Sequence, residues 1–363
     1  MAFPDCPYFV GDLVGFQNWF RSRPLLCALI IASGCIVFIL AVQAFELQSR
    51  ATRLKSALAR IRVLGMFPSS RLTVLGQFLP GWLVDRVPFE YFHELSSLDA
   101  EGVGIHDSDL TLLRDLPSLE TLNLDCPNIS DVAIDEISRL HIRHLSLGAS
   151  RISGAGYQKL AGMSSVENLW LPPQITDHDL QAICCMRQLV LLSLNHARIS
   201  NVGISGISSL TNLRELSLYN TLADDSCMEV LGRLPKLVKL RLDFTKITDA
   251  GLIRFGSLRR LEVLSLDGCD VSGQGLVELR NSNVLQELML GSERISDEDV
   301  ELLCTLVNLA KLDLSSARIG DSSVSKLSGL SRLKSLNLRD TMISKSASES
   351  LHLAIPNADI VGK

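Results

Sequence analysis

A pair of histidines is the first pattern in this sequence that suggests chemistry. His141 and His144 form an H-x-x-H pair beside Arg143. A protein zinc site takes three or four ligands, and no acid or cysteine at ligand spacing completes this pair. We therefore predict no metal site here, and we interpret His144 as a solvated side chain on a strand.

Two glycine pairs and an asparagine triplet resemble functional motifs only weakly. The pairs Gly102-x-Gly104 and Gly154-x-Gly156 lack the third glycine and the preceding strand of a dinucleotide-binding loop. We interpret these glycines as turn residues. The triplet Asn128-Ile129-Ser130 matches a glycosylation acceptor, but Ser130 is better explained as a helix cap. The sequence thus predicts no catalytic residue and no cofactor.

The nine cysteines do not form a disulfide framework. Their number is odd, Cys27 and Cys35 lie in an apolar run, and Cys184 and Cys185 are adjacent. The others are scattered without metal-ligand spacing. We predict buried free thiols that act as small apolar residues, which favours a reducing compartment.

A repeat spans most of the chain and must position any functional residues that it has. A Leu-x-Leu pair recurs with steps of 23, 24, 23 and then 24 residues throughout. Its members are Leu122/Leu124, Leu145/Leu147, Leu169/Leu171, Leu192/Leu194, Leu216/Leu218, Leu240/Leu242, Leu264/Leu266, Leu288/Leu290, Leu312/Leu314 and Leu336/Leu338. One step back reaches Leu98/Ala100 and one step forward reaches Ile360. The spacing predicts twelve strands in register.

Each unit carries further apolar positions at fixed offsets. The leucine pair has the period of a short strand that faces a core. The later apolar residues, as at Leu252, Phe255 and Leu258, form one stripe of a short helix. Between strand and helix stands a hydroxyl residue followed by an acid, which we expect to cap the helix. This dipeptide occurs as Ser130-Asp131, Thr176-Asp177, Thr248-Asp249 and Ser296-Asp297.

The segment Leu237 to Leu252 carries the pattern L-x-x-L-x-L followed by Ile-Thr-Asp-x-Gly-Leu. This pattern resembles leucine-rich repeats, and in particular the cysteine-containing subclass found in F-box proteins and many bacterial proteins. The resemblance covers about residues 95–363 and implies an α/β solenoid, with parallel strands on a concave face and short helices on a convex face. Thr245 and Cys269 keep the subclass's usual turn residue, whereas Glu293 departs from it.

The residues beside the inward leucines should form the concave face. Trp170, Leu191 and Tyr219 are large and lie on nearby strands, a combination typical of an interface anchor. We expect the polar residues around them to contribute further contacts; these are His144, Asn168, Asn195, Arg241, Asp243 and Asp267. Arg241, Asp243 and Asp267 could instead neutralise one another on a solvated surface.

The amino-terminal part is organised differently. Residues 25–45 carry no charge over 21 positions, which is long enough for a membrane-spanning helix. A cleaved signal peptide ending at Ala44 and lipoprotein processing at Cys35 remain alternatives. We expect a tail at 1–24, a transmembrane helix at 25–45, a basic juxtamembrane helix or stalk at 46–67 and a cap at 68–94. Prolines at 68, 80 and 88 should break regular structure within that cap.

The charge distribution bears on topology and on partners. Residues 1–62 hold seven basic residues against three acids, so the net charge of −5 conceals an acidic remainder. An acidic repeat array argues against nucleic acid as the partner. More basic residues follow the apolar run than precede it, which favours a cytoplasmic location for the repeats.

These observations favour binding over catalysis. We expect a single-pass, membrane-anchored scaffold or receptor whose concave face binds a protein or peptide. An alternative, implied by the resemblance to F-box proteins, is a substrate-recruiting adaptor of a ubiquitin ligase, although residues 1–94 show no ligase-binding motif. A third possibility is an enzyme with a novel site on the solenoid.

Overall fold

A long parallel sheet forms the backbone of the repeats. The computed structural model describes residues 45–72, 93–254, 257–280 and 282–362. Thirteen strands follow one another in chain order. They are β1 (Phe67–Leu72), β2 (His93–Asp99), β3 (Thr121–Asn123), β4 (His144–Ser146), β5 (Asn168–Trp170), β6 (Leu191–Ser193), β7 (Glu215–Ser217), β8 (Lys239–Arg241), β9 (Val263–Ser265), β10 (Glu287–Met289), β11 (Lys311–Asp313), β12 (Ser335–Asn337) and β13 (Asp359–Val361).

The register of the sheet is the one that the leucine spacing predicts. Leu98 pairs with Leu122 at one end, and Leu336 pairs with Ile360 at the other. The strands from β2 to β13 are all parallel. The prediction of twelve strands in register is confirmed, and β1 adds a further strand that the sequence did not indicate.

Short helices connect the strands. The α-helices of the repeats are Asp131–Ile137, Gly154–Leu160, Asp177–Ile183, Asn201–Ile204, Cys227–Leu231, Asp249–Leu252, Gly273–Leu276, Val300–Leu303, Val324–Leu327 and Lys345–Ala354. The 3-10 segments are Asp107–Asp115, Ser205–Ser209, Val277–Leu279 and Asp321–Ser323. Each repeat thus alternates a strand with one or two helical turns, which gives an α/β solenoid of leucine-rich-repeat type.

The core lies between the sheet and the helices. Leu240, Leu242, Leu264 and Leu266 are fully buried, as their positions in the repeat predict. The helical stripe is buried at the same offsets in successive units, for example at Leu252. Phe255, which we assigned to this stripe, lies outside the described residues.

The amino-terminal segment is helical over residues 45–64. Ala51, Leu54, Ala57 and Ile61 form its buried stripe. The predicted transmembrane helix at 25–45 lies outside the described residues except for Phe45, as do the tail at 1–24 and most of the cap at 68–94. Among the residues that are described, no helix combines the length and apolar character that crossing a membrane requires.

Pro68 does not break regular structure as the sequence suggested, because it lies within β1. This strand is the first of the sheet and therefore an edge strand. Proline is tolerated on an edge strand because the position of its missing N–H group can face away from the neighbouring strand. Two compact units divide the chain: Met1–Leu58 with Leu72–His93, and Ala59–Arg71 with Glu94–Lys363. The second unit holds the whole repeat array.

A recurring aspartate links several repeats to the next one. Asp225 lies at the start of one repeat's helical segment, and its carboxylate accepts hydrogen bonds from the amide and the hydroxyl of Thr248 in the following repeat, both at 2.7 Å. The same arrangement, which we call the aspartate interlock, recurs in the pairs Asp107–Ser130, Asp131–Ser153, Asp177–Ser200, Asp249–Ser272 and Asp321–Ser344. The acid of the Thr-Asp motif therefore serves the neighbouring repeat.

The glycine of the same motif makes room for this aspartate. A Cβ atom added to Gly251 would lie 2.5 Å from Oδ1 of Asp225 and 3.4 Å from its Cα. Gly156 faces Asp131 in the same way, so our interpretation of Gly156 as a turn residue was wrong. Gly102, by contrast, adopts the left-handed conformation at φ +68 and does serve a turn.

The hydroxyl residues cap most of the helices as the sequence predicts. Ser130, Thr176 and Thr248 accept a hydrogen bond from the amide two or three residues later. Ser296 does not, because the helix begins only at Val300 and its N-cap residue is Asp299, to which the Ser296 hydroxyl donates. The prediction that Ser296 caps a helix was therefore wrong.

The turn after several strands is closed by a small buried donor. The hydroxyls of Thr221 and Thr245 donate to the carbonyls of Leu218 and Leu242, and the thiol of Cys269 also donates to Leu242. In the repeat where Glu293 departs from the pattern, Ser292 is the buried residue and donates to Val271 instead. The six cysteines of the described residues are free, as predicted.

Candidate functional site

The concave face consists of the side chains that alternate with the buried leucines. Residues on either side of the leucine are half-buried in most strands, including His144 in β4 and both Asn168 and Trp170 in β5. Leu191 in β6 is also half-buried, although its neighbour Ser193 is buried. This half-buried pattern agrees with strand alternation, and the role of these residues in binding stays a prediction.

The strand register determines which of these residues are neighbours. His144 pairs with Asn168, and Asn168 pairs with Leu191, so these three form one column across β4, β5 and β6. Trp170 pairs with Ser193 on the adjacent strand, which makes it a diagonal neighbour of Leu191. Because adjacent strands lie about 4.8 Å apart, Trp170 and Leu191 lie near each other on the same face of the sheet, and we treat them as one patch.

Tyr219 belongs to a second cluster at the end of β7. Its ring lies 5.0 Å from that of His196 and 5.4 Å from that of Phe244, both edge to face. The guanidinium of Arg241 lies 5.7 Å from the same ring, within cation–π range. Within the described part of the chain, Tyr219 makes no ring contact with Trp170. We call His196, Tyr219 and Phe244 the aromatic ridge.

Sequence reasoning missed two members of this ridge. His196 and Phe244 follow the second core leucine of their repeats by two residues, and both adopt a left-handed conformation, at φ 61 and φ 53. Asn220 occupies the equivalent place between them and donates to Nδ1 of His196 at 3.0 Å. A left-handed phenylalanine is rare, since bulky side chains disfavour positive φ. The sequence signal for Phe244 was a large apolar residue at a position where the adjacent repeats have Asn220 and Gly268.

Arg241 and Asp243 form an ion pair and do not offer two separate contacts. Nε of Arg241 lies 3.4 Å from Oδ2 of Asp243. Asp243 is only 2% exposed, and its other oxygen accepts hydrogen bonds from the hydroxyl of Ser265 and the amide of Asp267. Our prediction of Asp243 as a binding residue was therefore wrong, because its carboxylate is consumed within the fold. Arg241 itself remains exposed.

Asn195 and Asp267 likewise bridge neighbouring repeats. Oδ1 of Asn195 accepts from the Ser217 hydroxyl at 2.6 Å, and Oδ1 of Asp267 accepts from the Gly291 amide at 2.7 Å. Both side chains are nevertheless half-buried and reach the surface. Burial raises the pKa of the Asp267 carboxyl, and the charges of Asp313 and Asp243 act in the same direction. Asp267 thus lies in an acidic part of the concave face.

The geometry offers no arrangement for metal chemistry in the part of the chain that the structure describes, where no three His, Cys, Asp or Glu side chains come together. Two depressions, with volumes of about 630 and 950 Å³, lie along the edge at which the strands begin. The first includes His141 and Arg143 but none of the predicted binding residues. The concave-face residues therefore form an open surface suited to a macromolecule.

Comparisons with known proteins agree with this architecture. The family model described as Leucine Rich repeat matches residues 306–328. The chain matches none of the curated proteins compared with it. Among solved structures, an internalin from Listeria monocytogenes is similar at 20% identity and a TM-score of 0.54, over 77% of this chain and 92% of the internalin.

A leucine-rich-repeat protein of Leptospira interrogans is also similar, at 20% identity and a TM-score of 0.48, over 69% of this chain and 68% of its own. At such identities the similarity shows only the fold, and this conclusion rests on the comparison with the internalin. The in-register parallel strands, the buried leucines and the matching family model agree with one another. The chain has the leucine-rich-repeat fold.

Proposed function

We propose that this protein is a non-catalytic, membrane-anchored scaffold or receptor that binds a partner protein on the concave face of its repeats. Leucine-rich-repeat proteins generally act as protein-interaction scaffolds. The observation that carries the proposal is the row of large, incompletely buried side chains across β5 to β8. Trp170 and Leu191 form one part of it, and Tyr219 belongs to the other.

These side chains have the properties of interface anchors. Tryptophan, tyrosine and arginine dominate binding energy in protein interfaces, and they do so when polar residues surround them. His144, Asn168 and Asn195 supply that polar surround, and Arg241 flanks the ring of Tyr219. A stretch of three strands spans roughly 10 Å, which accommodates one anchor residue of a partner.

The membrane anchor is supported by the sequence of residues 25–45, and we propose that the repeats lie in the cytoplasm because basic residues predominate after this segment. We further assign the repeats to the cysteine-containing subclass. Cys126 and Cys269 support this, since each thiol donates across repeats to a strand-end carbonyl, that of Ala100 or Leu242.

Crosslinking in native membranes, followed by partner identification, tests the proposal. Replacing Trp170 and Tyr219 by serine should reduce recovery of the partner by about tenfold or more, because both rings are hot-spot residues. The unfolding temperature should change little, since neither side chain is fully buried. A matched control is Val202→Ser, which alters an exposed apolar residue of the helix Asn201–Ile204.

Unchanged recovery with the double variant would refute the patch. A collapse in stability would instead mean that the two rings pack within the fold. Recovery of ubiquitin-ligase subunits would favour the adaptor alternative. Protease digestion of sealed vesicles tests the topology separately, and protection of the repeats in inside-out vesicles would contradict a cytoplasmic location.

A further inference from the structure

The backbone of the next repeat supports the aromatic ridge. Phe244 donates its amide proton to the carbonyl of Asp267 at 2.7 Å. Its ring lies on Gly268, where an added Cβ atom would come within 2.5 Å of Cδ1 and 2.6 Å of Cε1. The fold therefore leaves room for this ring by placing glycine beneath it, and the ring meets Tyr219 edge to face on its other side.

The position of Phe244 is not explained by stability. Asn220, Ser316 and Asp340 occupy the equivalent place in other repeats with the same left-handed backbone, and asparagine and aspartate are among the side chains that tolerate this conformation best. Phe244 is 52% exposed, so its ring also gains little from burial. A disfavoured backbone conformation that presents an exposed, ordered ring is typical of a surface used for recognition.

The electrostatic surroundings of the ridge are acidic. Asp243, Asp267 and Asp313 lie close enough for their charges to interact, and Arg241 is the cation among them. Arg241 is already engaged, because it pairs with Asp243 and lies over the Tyr219 ring. The oxygen Oδ1 of Asp267 is occupied by the Gly291 amide, and the side chain remains half-buried at the surface. An incoming cation would therefore meet uncompensated carboxylate charge beside exposed aromatic rings.

We propose that the aromatic ridge and Asp267 together bind a basic segment of the partner protein, with an arginine or lysine beside Asp267 and an apolar side chain against Phe244. This inference rests on the proposed function and specifies the chemistry of the partner. The ion pair of Arg241 with Asp243 within this chain is an internal example of the contact that the partner's cation would make with Asp267.

The test uses the full chain in nanodiscs of zwitterionic lipid and a fluorescein-labelled nine-residue peptide. The peptide has a central leucine flanked on each side by alternating arginine and glycine, and a second peptide has glutamate in place of arginine. Fluorescence polarisation, corrected with empty nanodiscs, should give at least about tenfold tighter binding for the arginine peptide. Added salt should weaken that binding, because screening reduces the charge interaction.

Two variants locate the binding site. Phe244→Asn installs the residue that Asn220 provides one repeat earlier, so the backbone conformation is retained. Asp267→Asn keeps the oxygen that accepts from the Gly291 amide and removes the charge. Each should weaken the arginine peptide by about fivefold or more, a difference of about 1 kcal/mol. The matched control Ser316→Asn, at the equivalent position three repeats later, should leave binding unchanged.

Equal binding of the arginine and glutamate peptides would overturn the inference, as would unchanged binding by both Phe244→Asn and Asp267→Asn. The proposed function would survive that result if recovery of the crosslinked partner still depended on Trp170 and Tyr219. If partner recovery did not depend on those residues but the arginine peptide still bound through Phe244, Phe244 and Asp267 would bind basic peptides and the proposed function would fail.

Discussion

Replacing Gly251 by alanine should show that the aspartate interlock holds neighbouring repeats together. The new Cβ atom would lie 2.5 Å from Oδ1 of Asp225, so the carboxylate must move. Moving it breaks the two hydrogen bonds that it accepts from Thr248, at 2.7 Å each. In most other sequence contexts the same change would stabilise a helix, because alanine has a higher helix propensity than glycine.

The two effects differ enough in size to predict a sign. Hydrogen bonds to a charged group contribute about 1.5–3 kcal/mol when buried, and these two are half-buried, so together they are worth about 2–4 kcal/mol. The higher helix propensity of alanine offsets this loss of stability by up to about 1 kcal/mol. Gly251→Ala should therefore lower the free energy of unfolding by about 1–3 kcal/mol.

A double-mutant cycle isolates the contact. In an Asp225→Ala background the carboxylate is gone, and the nearest backbone atom to the new Cβ is the Cα of residue 225 at 3.4 Å, an ordinary contact distance. There Gly251→Ala should be neutral or stabilising by up to about 1 kcal/mol. The coupling energy between the two positions should be about 2–4 kcal/mol.

Urea unfolding of the four proteins measures this cycle, and hydrogen exchange at the Thr248 amide reports the local effect. Gly104→Ala is the matched control, since nothing lies within 4 Å of the added Cβ atom. This variant should change the free energy of unfolding by less than about 0.5 kcal/mol. An equal cost of Gly251→Ala in both backgrounds would refute the interlock.

Three further changes test other parts of the structure. Leu264→Ala, at a fully buried core position, should cost about 2–5 kcal/mol in urea unfolding, and a loss below about 1 kcal/mol would contradict its place in the core. Tyr157 is 1% exposed and its hydroxyl has no hydrogen-bond partner among the described residues, so Tyr157→Phe should stabilise the protein by about 1 kcal/mol, and any destabilisation would argue against a buried hydroxyl. Burial, with a smaller contribution from Asp224 and Asp225, raises the pKa of the Cys227 thiol to about 12. The unfolded chain loses this proton near pH 9 and the folded chain retains it, so the contribution of Cys227 to the free energy of unfolding should be constant below about pH 8.5 and fall as the pH rises towards 12. Burial also raises the pKa of the Cys184 thiol, so Cys227→Ala should reduce the decline without abolishing it in urea titrations at pH 8 and 10, and an unchanged slope would mean that Cys227 is accessible in the folded state.

The fold follows from the sequence because one spacing determines all the strands. A 24-residue step that returns Leu240, Leu264 and Leu288 to the same place leaves a single parallel register, and all three are buried. The helix caps at Thr176 and Thr248 follow from local chemistry in the same way. Ser296 failed because the helix of its repeat begins later, at Val300 with Asp299 as its N-cap residue, and this later start is not evident from the Ser-Asp dipeptide.

The interlock and the site depend on contacts between repeats, which a motif within one repeat does not express. Asp225 looks like a helix-capping acid in its own unit, and its partner Thr248 lies 23 residues later. Asp243 looks exposed by strand alternation, yet its carboxylate is buried against Ser265 and Arg241. Phe244 was missed because the left-handed turn that exposes its ring does not follow from the repeat motif.

Hydrogen–deuterium exchange on the complex of the full chain with its crosslinked partner tests most directly whether the concave face is the binding surface. Binding across β5 to β8 should slow exchange at amides around Trp170, Tyr219 and Phe244, and it should leave the helices Asp177–Ile183 and Asn201–Ile204 on the opposite side unchanged. Protection confined to those helices, with no change at the strands, would contradict the account.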